Sequence, residues 1–114
     1  MAYDEDLAER IREIVHSEPG LTEKRMFGGL AFLINGHLAA SASSQGGMLL
    51  RVDPAETAAL VERPGAARFE MRGRKMNGWL RVDATALETD DQLESWVTRG
   101  VTYARSLPAK DARR

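Results

Sequence analysis

Two short segments of this chain share the tetrapeptide Leu-Arg-Val-Asp, at Leu50–Asp53 and again at Leu80–Asp83. Side chains of an extended strand alternate between faces, so Leu50, Val52, Leu80 and Val82 point one way with Met48, and Leu49, Arg51, Trp79 and Arg81 point the other. The second set carries the more informative chemistry. Tryptophan and arginine are common energetic anchors of protein interfaces, one as a large rigid ring, the other as a planar donor on an apolar stem. Leu49, Arg51, Trp79 and Arg81 therefore form the candidate partner-binding face, and what they offer is recognition rather than bond making. A competing reading lays the arginine stems on the indole within the monomer, closed off by a loop.

Groups that could make or break bonds are sparse. The sequence has no cysteine, which removes disulfides, thiolate metal sites and cysteine nucleophiles and fits a reducing cytoplasm. His16 lies near the carboxyl end of the first helix and His37 follows a turn, and neither has a second metal ligand or an orienting carboxylate nearby in sequence. Ser41, Ser43 and Ser44 lack the Gly-x-Ser-x-Gly setting between strand and helix that exposes a nucleophilic serine. Sequence thus predicts no catalytic residue, no metal and no cofactor. A small hydrolase-type enzyme is an alternative that needs His16 or His37 within hydrogen-bond reach of a carboxylate or serine in a concave pocket. Nucleic acid is another alternative, with Arg72, Arg74 and Lys75 of a basic hairpin on phosphates and Trp79 stacked on a base. A formal net charge of −1 and an acidic first helix weigh against it.

These residues need strands and turns to hold them. The run Leu30 to Ile34, then Asn35-Gly36, then His37 to Ala42 predicts a hairpin, because Asn and Gly accept the positive φ that a type I′ turn requires at both central positions. Strands are also expected at 23–27, 48–52, 68–71 and 79–82, with Arg72 to Gly78 as a basic connection. Gly28, Gly29, Asn35, Gly36 and Gly78 are the expected structural turns. Gly28-Gly29 and the Ser43 to Gly47 loop resemble phosphate cradles only superficially, since each feeds a strand rather than a helix.

Helices are expected on either side of this meander. Leu7, Ile11, Ile14 and Val15 form one apolar stripe over residues 4–17, with Asp4 as cap and Pro19-Gly20 as stop. Asp53-Pro54-Ala55-Glu56 predicts a second, brief helix opened by a capping box, and Asp83 stands in the equivalent place after the second Leu-Arg-Val. Thr89 to Gln92 predicts a further capping box, opening a final helix on which Leu93, Trp96, Val97, Gly100, Val101 and Ala104 recur at three and four.

At 114 residues, 43% apolar and 29% charged, the chain is the size of one globular domain, expected over residues 1–107 with a charged tail at 108–114. Its acidic amino terminus is unlike a signal peptide, and no apolar run approaches a membrane span. The expected architecture is α+β, an antiparallel sheet of about five to six strands with the helices on one face, in the order helix, four strands, helix, two strands, helix. The helices should cover the face of Leu50, Val52, Leu80 and Val82 and leave the Trp79 face for a protein partner or a second copy of the chain.

The chain resembles the TfoX/Sxy amino-terminal domain family. The resemblance rests on Lys24-Arg25-Met26-Phe27-Gly28-Gly29-Leu30-Ala31-Phe32, the Asn35-Gly36 turn, Gly47 to Asp53, and Met76-Asn77-Gly78-Trp79-Leu80-Arg81-Val82 followed by a Trp-containing helix. It covers roughly residues 4 to 107. The resemblance implies an α+β fold similar to secretion chaperones and a bacterial cytoplasmic protein related to regulators of natural competence, which act with a cyclic-AMP-responsive transcription factor. It supplies no catalytic residues. Full-length regulators continue into a second helical domain, so the chain reads as a stand-alone first domain to which a competence role does not simply transfer.

Overall fold

In the computed structural model, which describes residues 3–26 and 28–108, three helices and six strands form. Helix α1 (Glu5–Val15) starts where the Asp4 carboxylate accepts the N–H groups of Asp6 and Leu7 at 3.0 and 3.1 Å. It buries Leu7, Ala8, Ile11 and Val15, so its apolar stripe is turned toward Ala8, and Ile14 stays half-buried. Helix α2 (Thr57–Leu60) is one turn long and follows a 3₁₀ turn at Pro54–Glu56. Asp53 caps that turn through the Ala55 N–H at 2.9 Å, but the Glu56 side chain returns no bond, so the expected capping box is only half made. Helix α3 (Asp90–Ser106) has both halves of its capping box, Thr89 with Gln92.

The strands are β1 (Leu21–Met26), β2 (Gly29–Ile34), β3 (His37–Ala42), β4 (Met48–Arg51), β5 (Ala66–Met71) and β6 (Arg74–Val82). They form one antiparallel sheet in the order β1-β2-β3-β4-β6-β5. The β2–β3 turn has φ of 53° at Asn35 and 88° at Gly36. The first strand starts at Leu21, two residues before the expected Glu23, and its expected last residue, Phe27, lies outside the described residues. So does the expected tail beyond Pro108.

One expected loop is instead strand. The basic connection read at 72–78 is a two-residue turn, with φ of 55° at Arg72 and 79° at Gly73, followed at once by β6. An arginine rarely takes positive φ, so the sequence carries little signal for this turn. Gly78, expected at a turn, lies within β6 at φ 88°, where the register with β5 slips between Arg68↔Leu80 and Phe69↔Met76. On the β4 side the Gly78 carbonyl accepts the Val52 N–H at 2.9 Å, while the Gly78 N–H finds its partner outside the strands. Thr57, buried at 1% exposure, accepts it at 2.8 Å through Oγ1. The short α2 thus places one hydroxyl that satisfies a strand irregularity, and a buried N–H left without a partner costs about 1–3 kcal/mol.

The repeated Leu-Arg-Val-Asp segments become neighbours. Strands β4 and β6 pair with Leu50 opposite Leu80, Leu49 opposite Arg81 and Arg51 opposite Trp79, a local two-fold about the leucine pair. Their exits differ, because Asp53 caps the following turn whereas the Asp83 side chain makes no cap to the 3₁₀ turn Ala84–Ala86.

All three helices contribute to the main core on one side of the sheet, where Ile11, Phe32, Ile34, Met48, Leu50, Leu80, Val82, Leu93 and Val97 are buried. Helix α3 approaches β3 so closely that a Cβ on Gly100 would sit 2.4 Å from the Ala39 carbonyl oxygen. Glycine is required there by the packing distance, not by its φ.

Candidate interaction face

The opposite side of the sheet carries a second, smaller apolar cluster. Ala31, Leu38 and Leu49 are buried in it, and Met26, Leu33, Phe69 and Trp79 pack against them half-buried. Met26 belongs to β1 and Phe69 to β5, the two edge strands, so the sheet curls enough for both edges to reach one cluster. Between them lies a small cavity of about 80 Å³ lined by Met26, Ser41, Leu49, Phe69 and the Ser43–Gln45 loop.

Of the four residues predicted for this face, Leu49 is buried at 7% exposure, and Arg51, Trp79 and Arg81 are half-buried. The Arg51 guanidinium lies 4.8 Å from the Trp79 ring centroid and 5.7 Å from that of Tyr103, reached from α3. A cation over an indole contributes roughly 0.5–2 kcal/mol, the more the drier the site. Arg81 clamps the loop before β4, donating to Ser43 Oγ at 3.2 Å and to the carbonyls of Gln45 and Gly46 at 2.9 and 2.7 Å. Both sequence readings of the face therefore have a physical counterpart: the arginines are held inside the monomer, and Met26, Leu33, Phe69 and Trp79 around the buried centre keep partial exposure.

The basic stretch is divided by the hairpin. Arg74 alternates with Met76, which is opposite Phe69, and so shares the open face; Lys75, opposite Glu70, points to the other side. Arg72 occupies the turn itself. Lys24, opposite Ala31, is a further cation on the open face that the sequence reading passed over, together with Met26, Leu33, Leu38 and Phe69. The run from Leu30 to Ile34 is apolar at every position, which hides its two-residue alternation from sequence.

Charge is arranged differently on the two sides. The ion pairs formed among the described residues are Arg10–Asp90, Arg12–Glu9, Arg12–Glu23 and Arg105–Glu18, all on the helical side. Arg12 donates to Glu23 through Nε at 2.7 Å and Nη2 at 2.9 Å, and these bonds hold the Glu23 carboxyl below its ordinary range. On the open face none of the paired strand residues is Asp or Glu. Lys24, Arg51, Arg74 and Arg81 have no carboxylate within ion-pair distance among the described residues.

A family model, the TfoX N-terminal domain, matches residues 13–104. The chain belongs to the TfoX N-terminal domain family. The matched span reaches from the last turn of α1 to the last turn of α3 and includes every residue of the open face. No curated protein matches the chain.

In this TfoX N-terminal domain both histidines bond to backbone. His16 Nδ1 meets the Glu13 carbonyl at 2.9 Å at the end of α1, and His37 Nε2 meets the Pro108 carbonyl at 2.7 Å. His37 is half-buried and ties the end of the described chain to the β2–β3 hairpin. Among the described residues neither ring forms the arrangement that a hydrolase-type site requires, an imidazole bonded to a carboxylate or serine. No helix among the described residues is long and apolar enough to cross a membrane, and no group of three or more metal-binding side chains gathers among them.

Proposed function

We propose that this protein is a non-enzymatic interaction module of regulatory type, working in the cytoplasm, that binds a protein partner through the sheet face its helices leave open. The observation that carries this reading is the half-buried Trp79, stacked under Arg51 in one cluster with Leu33, Leu49 and Phe69 on the side of the sheet away from the main core. Such a cluster has the make-up of an interface centre, aromatic and aliphatic with arginine at its margin. Family membership supports a regulatory role, and the cysteine-free sequence supports the reducing compartment.

The same feature that suits the compartment provides the test. With no native cysteine, Leu33→Cys on the open face and Thr98→Cys on the exposed side of α3 each accept a single thiol-directed photocrosslinker. In extract of the source organism the Leu33 position should form a discrete adduct that the Thr98 position does not form, and adding Trp79→Ala should abolish it. Identical adducts from both positions would overturn the proposal.

A further inference from the structure

We infer that the segment bound by this face is acidic: an extended peptide or loop whose aliphatic side chains enter the cluster around Leu33, Leu49 and Trp79 while its carboxylates meet Lys24, Arg51, Arg74 and Arg81. The inference rests on the reading of the open face as a binding surface and specifies the partner's chemistry. Its basis is a charge imbalance confined to one side of the sheet. Four cations share that side by register or by contact, and no paired strand position there is acidic. Arg51 is held by ring faces and Arg81 by one hydroxyl and two carbonyls, so both guanidiniums are oriented in advance while their charge stays uncompensated. Preorganised cations lose little freedom when a carboxylate arrives.

A second copy of the chain is a poor occupant of the face. Face-to-face pairing about a two-fold would set these cations against their own copies. The acids that could relieve the repulsion lie elsewhere: Glu70 on the helical side of β5, and Glu5 and Asp6 in the first turn of α1. A nucleic acid would meet the cations with phosphates but needs room for its bases. The cavity at the Met26–Phe69 end of the cluster is about 80 Å³, whereas an engineered cavity that accepts benzene is about 150 Å³. An aliphatic side chain fits that space better than an aromatic base.

The test is a titration of the full chain, labelled with nitrogen-15, with synthetic peptides of about twelve residues carrying leucine at every fourth position. The remaining positions are Glu in one peptide, Gln in the second and Lys in the third, with an oligothymidylate of similar length as the nucleic-acid probe. The Glu peptide should shift the amides of Leu33 and Leu49 and the Trp79 indole, and should bind at least about tenfold more tightly than the Gln peptide at low salt. Lys24→Glu, an exposed position whose variant is checked for native circular dichroism, should weaken the Glu peptide several-fold and leave the Gln peptide unchanged. Equal binding of Glu and Gln or Lys peptides on this face would overturn the acidic partner while leaving the interaction face standing. Shifts confined to the helical side, or no shift from the Glu peptide at millimolar concentration, would also overturn it, as would oligothymidylate binding the face more tightly than the Glu peptide. Concentration-dependent dimerisation blocked by Lys24→Glu would assign the face to a second copy instead.

Discussion

Phe32 and Leu33 are neighbours on β2 and face opposite worlds. Phe32 points to the helices, is fully buried, and lies in a core to which every helix contributes. Leu33 points to the other side and remains half-buried against the smaller cluster of Ala31, Leu38 and Leu49. Electrostatics follows the same division: carboxylates pair with arginines over the helical side, and on the open side arginines settle on rings and carbonyls. The contrast teaches that one sheet here does two jobs. Its helical face closes over the larger core, and its open face sets half-buried, oriented side chains, Leu33, Arg51, Trp79 and Arg81, around the buried Ala31, Leu38 and Leu49.

That division is exposed most sharply by truncating the two neighbours. Phe32→Ala should cost roughly 3–5 kcal/mol, as large-to-small changes in closed cores do, whereas Leu33→Ala should cost about 1 kcal/mol. Chemical denaturation with a common slope measures both. Similar losses from the two variants would mean that the open face is as much a core as the helical one, and the basis for a binding surface there would be gone.

A smaller effect tests how tightly the helical layer is pressed on the sheet. Gly100→Ala should gain a little helix propensity, about 1 kcal/mol, but its methyl group would meet the Ala39 carbonyl oxygen at 2.4 Å and Leu50 Cδ1 at 2.8 Å. Overpacking of this kind costs typically about 1–3 kcal/mol net of relaxation, so the variant should unfold at lower denaturant. A variant as stable as the native chain would show that α3 can lift away freely.

Much of this arrangement is legible in the sequence. The end caps of α1 and α3, the Asn35-Gly36 turn and the opposite faces of Leu50 and Arg51 all follow from local chemistry that tertiary structure had no cause to override. What is not legible has physical reasons. Arg72 adopts a left-handed conformation that its side chain does not advertise, which conceals the second hairpin and makes Asn77-Gly78 look like the turn. The curl that brings Met26 and Phe69 into one cluster is a property of the whole sheet, and the clamp from Arg81 to Gln45 and Gly46 spans segments far apart in sequence. Period-two reading could sort Leu49 from Leu50, but it could not show which arginines would find a carboxylate.

The least effect concerns acid, and it also separates the two faces. Glu23 lies on β1 but, opposite Phe32, points to the helical side, where Arg12 of α1 donates two hydrogen bonds to it. Those bonds hold the Glu23 carboxyl below the usual carboxylate range when the chain is folded. A folded-state value lower than the unfolded one means that the unfolded chain binds the proton more readily as pH falls. The stabilisation is therefore complete above the ordinary glutamate range near pH ~4.3 and disappears as pH drops through the folded value. Melting temperature measured from pH 7 down to pH 3 should thus fall more steeply for the native chain than for Glu23→Gln, with the difference opening below about pH 5. Lys24→Gln, one residue along and on the open face, has no carboxylate partner to lose among the described residues and should track the native chain across that range. If Glu23→Gln and the native chain fall in parallel, the Arg12–Glu23 pair is screened to insignificance, and the helical side would have no electrostatic advantage over the open one at this edge of the sheet.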